Sequence, residues 1–306
     1  MNPLQTNMLN ALVGAAIALT AIATAAPARA EAFAQSILVI DNLRLTRANG
    51  TPFRGVDFAA FSGGSAGYAG SGLNGQFANL LQAGSGDVPQ QVVGALPPRP
   101  ENSFLPFAHP AGASYGAADQ FMTGELITTA AGAAGATLSS RADAALGAAG
   151  AATGNAGMAS ATTFLFELGA DELMTISFDA FAFSAASVDG AQSQQNSASA
   201  QLAWTISVLD VTNGAVVFTF QPEELNAMSH VGRATGLAGT SSYDPGWMAF
   251  SATVGALSGG TAYHLSISQS AAASVLGAQP MPEPGTLSAI GAGLLAMAAL
   301  GRRRRR

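Results

Sequence analysis

The chain has 306 residues, with no cysteine, no lysine, 12 arginines, 18 acidic residues and a formal charge of −6. Without cysteine there are no disulfides, no thiol chemistry and no cysteine-ligated metal. The acidic balance argues against nucleic acid and anionic membranes as partners, because phosphate contacts need Lys and Arg. Only 10% of residues are charged while Ala, Gly and Ser abound, a composition that predicts a Ser, Thr, Gln and Ala surface on a β-rich extracellular protein.

Residues 11–23 form an apolar stretch of the length of a signal-peptide core. Ala28-Arg29-Ala30 supplies an A-x-A cleavage site, with Ala28 and Ala30 as its small residues, and predicts a mature start at Glu31. Residues 1–10 contain no Lys or Arg, so this signal lacks a basic leading region. The organisation expected is a signal helix over 1–30, one body over 31–280 and a C-terminal segment over 281–306. The body then holds six arginines against 17 acids, a net charge of −11. About 250 residues suffice for one large β-domain.

Within the body, 37–45 is the first strand candidate, and Asn49-Gly50-Thr51 marks a turn. Residues 62–86 are Gly/Ser/Ala-rich, and the apolar cluster 77–81 is expected to form a short helix there. Residues 130–161 are almost all Ala and Gly; they read as a long connection, partly ordered against the body. Residues 163–168 form a strand candidate. Residues 173–183 alternate, but the large residues change side at Phe178, which predicts a bulge or bend.

The clearest periodicity is Leu202, Trp204, Ile206 and Val208 at period 2. Asn213-Gly214 signals a hairpin, with 216–220 as the partner strand. Residues 248–254, the turn Ser258-Gly259-Gly260 and the return through Tyr263, Leu265 and Ile267 predict a last strand pair. Short strands separated by Gly, Asn and Asp turns predict an all-β, antiparallel β-sandwich with Gly/Ala-rich insertions.

No catalytic constellation stands out. Gly63-Gly64-Ser65-Ala66-Gly67 and Gly112-Ala113-Ser114-Tyr115-Gly116 match G-x-S-x-G, but neither has the strand-to-helix setting of a nucleophile elbow. Gly70-Ser71-Gly72-Leu73-Asn74-Gly75 matches G-x-G-x-x-G without a βαβ context, so no cofactor is expected. His109, His230 and His264 are far apart in sequence, and no metal site is expected from them. Acids at 171–172, 189, 210, 223–224 and 244 read as solvated charges near turns, although loop oxygens of that kind can bind Ca²⁺. Trp204 shares its face with Leu202 and Ile206 and is expected in the core. Trp247 follows Asp244-Pro245-Gly246, a turn, and is the better candidate to stack on a sugar ring, although a core position is favoured for it too.

The last 26 residues carry the most specific pattern. Pro282, Glu283 and Pro284 are followed by an apolar run over 287–300 and then by Arg302, Arg303, Arg304, Arg305 and Arg306. The run is about 14 residues, or roughly 21 Å of helix, short of the ~20 residues of a stable span. The arginines would stay on the cytoplasmic side, and the prolines hold Glu283 in extended backbone. This triplet, span and basic cluster resemble the PEP-CTERM sorting signal. The resemblance implies an exported surface protein processed by an exosortase, after transient membrane association through the C-terminal helix, in bacteria that make extracellular polysaccharide.

The body has a matching layout: Glu101-Asn102-Ser103-Phe104, the Ala/Gly stretch, Phe178-Asp179-Ala180, the strand of Trp204 and then 257–263. It resembles exosortase-dependent surface proteins with a jelly-roll-like body, which implies no catalytic residues. The expected role is non-enzymatic, at the cell surface or in the matrix with exopolysaccharide. A carbohydrate-binding module is the alternative, and a secreted glycosidase or esterase ranks below it.

Overall fold

The computed structural model describes residues 31–277, except 85, 96–98, 109–110, 131, 148, 190–195 and 234–237. The apolar stretches 11–23 and 287–300, the cleavage residues Ala28 and Ala30, the Pro282-Glu283-Pro284 triplet and the Arg302–Arg306 cluster lie outside the described residues. No helix among the described residues is long and apolar enough to cross a membrane.

The described chain is all-β and antiparallel. Its strands are β1 (Ala32–Arg47), β2 (Phe58–Gly64), β3 (Ala66–Leu73), β4 (Gln76–Ala83), β5 (Val88–Gly94), β6 (Tyr115–Thr123), β7 (Ala136–Leu146), β8 (Gly150–Leu168), β9 (Glu172–Val188), β10 (Asn196–Asp210), β11 (Ala215–Phe220), β12 (Met228–Arg233), β13 (Gly239–Tyr243), β14 (Trp247–Leu257) and β15 (Ala262–Gly277). One sheet runs β13-β9-β1-β7-β6-β5, with β14 also on β9. The other runs β11-β10-β15-β8-β3-β4, with β12 also on β10 and β2 also on β8. The long strands β8, β9 and β10 therefore each have one edge tiled by two short strands.

The sheets pack as a sandwich around one main core. Leu202, Trp204, Ile206 and Val208 face it from β10, as the period-2 pattern predicts. Trp204 meets Phe178 of β9 at 4.7 Å between ring centroids, and Phe178 stacks on Phe250 of β14 at 5.2 Å. At the other end of β8, Phe58, Phe164, Phe166 and Tyr263 form a second aromatic group within the same core. Burying each large apolar side chain is worth about 1.5–3 kcal/mol, so these rings anchor the register of the long strands.

Three expectations change. Residues 77–81 are not helical: β3 and β4 pair from Ala66↔Ala83 to Leu73↔Gln76. Their turn is Asn74-Gly75 with φ of 50° and 83°, a double left-handed turn that suits a two-residue hairpin.

Residues 130–161 are not a loose connection either. They contain β7 and the first half of β8, both central in their sheets. Here the two backbones nearly touch. A Cβ added to Gly154 of β8 would lie 2.1 Å from the Ala117 carbonyl oxygen, and one added to Gly116 of β6 would lie 2.1 Å from the Thr153 carbonyl oxygen. Sheets normally stack about 10 Å apart. At these two positions only Gly permits this closer approach, with Ala around them, so the small-residue run marks the thin half of the sandwich.

Lastly, β9 keeps one phase. Its even-numbered residues from Met174 to Val188 are buried, so Ala180 and Ala182 face the core while Phe181 and Phe183 face out. The extra residue lies in the partner strand: β1 has a bulge between Asp41 and Arg44, where Asn42 takes φ 53°.

The described parts of the connection over 95–114 lie on the outer face of the seven-stranded sheet and are pinned there by a buried charge network. Arg141 of β7 pairs with Asp119 of β6 at 3.1 Å and with Asp143 of its own strand at 3.2 Å. Arg99 from the connection pairs with Asp143 at 3.2 Å. Asn102 N–H donates to Asp119 at 2.9 Å, Phe107 N–H donates to Gln35 at 3.0 Å, and Gln35 in turn donates to Asp143 at 2.6 Å. Arg141 also donates to the Ser103 carbonyl. Burial pushes the Asp119 carboxyl up against the pull of Arg141, and pulls Arg99 down against Asp143. Two cations and two anions close this network, which is a structural clamp.

Candidate functional site

Trp247 is not in the core. It opens β14 after the Asp244-Pro245-Gly246 turn, where Gly246 N–H donates to Asp244 at 3.2 Å, and its side chain is 60% exposed. It projects from the outer face of the seven-stranded sheet, on the strand that borders β9. The strand register places Trp247 opposite Phe181 of β9, and Phe181 opposite Val39 of β1. The Trp247 and Phe181 rings lie 5.8 Å apart.

Two residues along, on the same face, Ala249 pairs with Asp179 and Asp179 with Asp41. An aromatic rung thus lies about 7 Å from an acidic rung, two steps of a strand. Thr137 of β7 donates its hydroxyl to Asp41 at 2.6 Å. The next rung is Ser251, Ser177 and Arg44, with Arg44 reaching the Ser177 hydroxyl at 3.4 Å. Asp41, Asp179, Trp247, Met248 and Ala249 line a shallow open hollow.

This arrangement has a definite chemistry. An exposed indole offers an apolar face with a polar edge, and ionised carboxylates accept hydrogen bonds only. Together they match a ring with C–H groups on one side and hydroxyl donors at its rim. The hollow lies on an open sheet face and is accessible to solvent.

The other candidates are placed as follows. Ser114 accepts a hydrogen bond from Gly147 N–H at 3.0 Å, a structural role. Ser65 lines an apolar cleft of about 390 Å³ with Phe61, Met122, Leu126, Leu138 and Phe164; among the described residues Glu125 is the one acid lining it, and no histidine does. The G-x-G-x-x-G run is the β3–β4 hairpin. His230 lies on β12 and His264 on β15, and His109 is outside the described residues. Among the described residues no three His, Cys, Asp or Glu side chains gather as a metal set.

Several acids cap turns, and Asp210, expected as a solvated charge, is instead a buried one. Asp210 accepts from Thr212 and Asn213 N–H and from the Asn213 side chain, at 2.8–3.1 Å, and Asp171 accepts from Gly259 N–H at 2.8 Å. The Asn213 amide, ahead of the backbone bonds, holds the Asp210 carboxyl below its ordinary value. Sequence reasoning reached Trp247 through its turn but missed Asp41 and Phe181 beside it, because only the pairing register joins them. No protein-family model, no curated protein and no solved structure matches this chain.

Proposed function

We propose that this is an exported, non-enzymatic protein of the cell surface or extracellular matrix, sorted through its C-terminal tail and associated with exopolysaccharide. The observation that carries the sorting half is the order Pro282-Glu283-Pro284, short apolar run, Arg302–Arg306. That tail would hold the precursor in the inner membrane until an exosortase acts at the triplet. The signal stretch over 11–23 and the Ala28-Arg29-Ala30 site support export. The body's several crossings between sheets, such as β7 to β8 and β9 to β10, support reading it as jelly-roll-like.

The second half is a carbohydrate-binding reading, favoured by the exposure of Trp247 next to Phe181, Asp179 and Asp41. An enzymatic reading has less support. Asp41 and Asp179 sit on an open face, and among the described residues the apolar cleft gathers neither a carboxylate pair nor a serine with a histidine.

Mass spectrometry of the mature C-terminus in the native host tests sorting. The expected product ends at or near the triplet, and an intact Arg306 on the surface protein would end the processing claim. Native affinity gels test the glycan contact. The Trp247→Ala variant is expected to run less retarded than the parent, and equal retardation would remove Trp247 from the role.

A further inference from the structure

The outer face of the eight-stranded sheet carries a second groove, over β3, β4 and β8. Its floor is glycine. The register sets Asn79 of β4, Gly70 of β3 and Asn155 of β8 in one rung. On one side lies the rung Phe77–Gly72–Thr153, and on the other Leu81–Tyr68–Gly157. Phe77 and Leu81 are each 71% exposed, a large expense of apolar surface on one short strand.

The rings are not loose ornaments. A Cβ on Gly72 would lie 2.9 Å from the Phe77 ring and 2.9 Å from the Thr153 hydroxyl, so that ring is seated across the bare backbone. The Tyr68 hydroxyl donates to the Asn155 carbonyl oxygen at 2.9 Å, which turns the Asn155 NH₂ group to other partners. Burial pushes the Tyr68 hydroxyl up, so it stays neutral. Tyr68 and Gly72 are four residues apart, about 13 Å along the strand. Two ring platforms thus flank a pair of amides over a distance longer than one sugar ring.

We propose that this groove is a binding subsite for a neutral linear polysaccharide, with Phe77 and Tyr68 as stacking platforms and Asn79 and Asn155 as hydroxyl partners. Amides both donate and accept, as sugar hydroxyls do, and the glycine floor lets a chain lie against the backbone. Tyr68, held neutral, is the one ionisable side chain that lines the groove among the described residues. The −11 body repels acidic chains, so the groove suits an uncharged one. The proposal rests on the reading of this protein as a matrix component for its ligand class, but it uses none of the residues around Trp247.

The test is native affinity electrophoresis of the purified protein in gels containing hydroxyethyl cellulose, dextran or galactomannan. It is run in a Trp247→Ala background, which removes the other candidate contact. Retardation on at least one gel is expected in that background. Adding Phe77→Ala should weaken it about ten-fold, the loss typical of truncating an anchoring aromatic. Adding Gly70→Val should do the same, since the new side chain fills the floor and, meeting the Asn79 amide oxygen at 2.5 Å, pushes that amide aside. Melting curves establish that each variant is folded. Equal retardation in both added variants, or none on any gel in the Trp247→Ala background, would overturn the groove. The sorting half is read separately, from the mature C-terminus, and the Trp247 contact from the parent against Trp247→Ala alone.

Discussion

Arg141 and Asp119 face each other across β7 and β6 at 3.1 Å, each side chain with no exposure to solvent. Arg141 is shared with Asp143, and the same group reaches over to hold the 95–114 connection at Ser103. Removing one member of such a network leaves a buried charge without its partner. Arg141→Met should therefore cost about 3–5 kcal/mol of unfolding free energy. Replacing the pair together, as Arg141→Met with Asp119→Leu, should recover part of that loss, because two matched apolar groups carry no desolvation penalty. Urea titration checks both variants; a single replacement milder than the double one would show that the clamp is not a coupled unit.

The close approach of the two sheets gives a second expectation. At Gly154 the nearest atoms to an added Cβ are backbone carbonyl oxygens of Ala117 and Asp143, at 2.1 and 2.7 Å. Backbone cannot swing aside as a side chain can. Gly154→Ala should cost about 1–3 kcal/mol or more, the range for overpacking a filled interior. Gly132, with nothing within 4 Å of its added Cβ, serves as the control, and Gly132→Ala should change stability by no more than about 0.5 kcal/mol. Thermal unfolding of both variants decides this, and similar midpoints would mean that the sheets separate easily at β8.

These two sites also show what the sequence does and does not reveal. Leu202, Trp204, Ile206 and Val208 are legible because one face of β10 is core, the other is not, and the buried side chains are large. β7 is nearly illegible because both its faces are buried, Ala142 and Ala144 under the other sheet and Arg141 and Asp143 under the 95–114 connection. Small residues then replace alternation, and strand looks like spacer. One signal was available: Arg141 and Asp143 are the only charged residues in 130–161 and stand two apart, the spacing of one strand face. The acidic rung of Asp41 and Asp179 had no such signal, because 138 positions of chain separate its members.

The charge network and the turns predict opposite responses to acid. Burial holds the Asp119 carboxyl above its unfolded value, with Arg141 opposing that shift. The native state then keeps a proton to higher pH than the unfolded chain does. The contribution of Asp119 to stability is therefore fully present below about pH 3.9 and is lost as pH rises through its raised folded value. Asp210 is shifted the other way, by the Asn213 amide first. Its contribution is present above about pH 3.9 and is lost as pH drops through its lowered folded value. Asp119→Asn removes the first titration and keeps the Arg141–Asp143 pair. The stability of the parent relative to Asp119→Asn should therefore increase from pH 7 to pH 4. A relative stability that is flat or falls over that range, in urea midpoints, would contradict the raised carboxyl.

The last expectation concerns the arginine cluster. An apolar run over 287–300 is below the usual spanning length, so by itself it holds poorly in a bilayer. In the proposed sorting route, five arginines at its end would supply the missing stop, since moving them across the membrane is strongly disfavoured. If Arg302, Arg303, Arg304, Arg305 and Arg306 act in this way, replacing all five with Gln should release or misorient the precursor before processing at Pro282-Glu283-Pro284. The body should keep its strand spectrum, because the core among the described residues runs from Ala32 to Val275, away from the cluster in sequence. Immunoblots of membrane and surface fractions, with mass spectrometry of the C-terminus, measure both effects. Normal trimming and surface display of the five-fold Arg→Gln variant would show that the cluster is dispensable and that the apolar run and the proline-flanked glutamate alone carry the address.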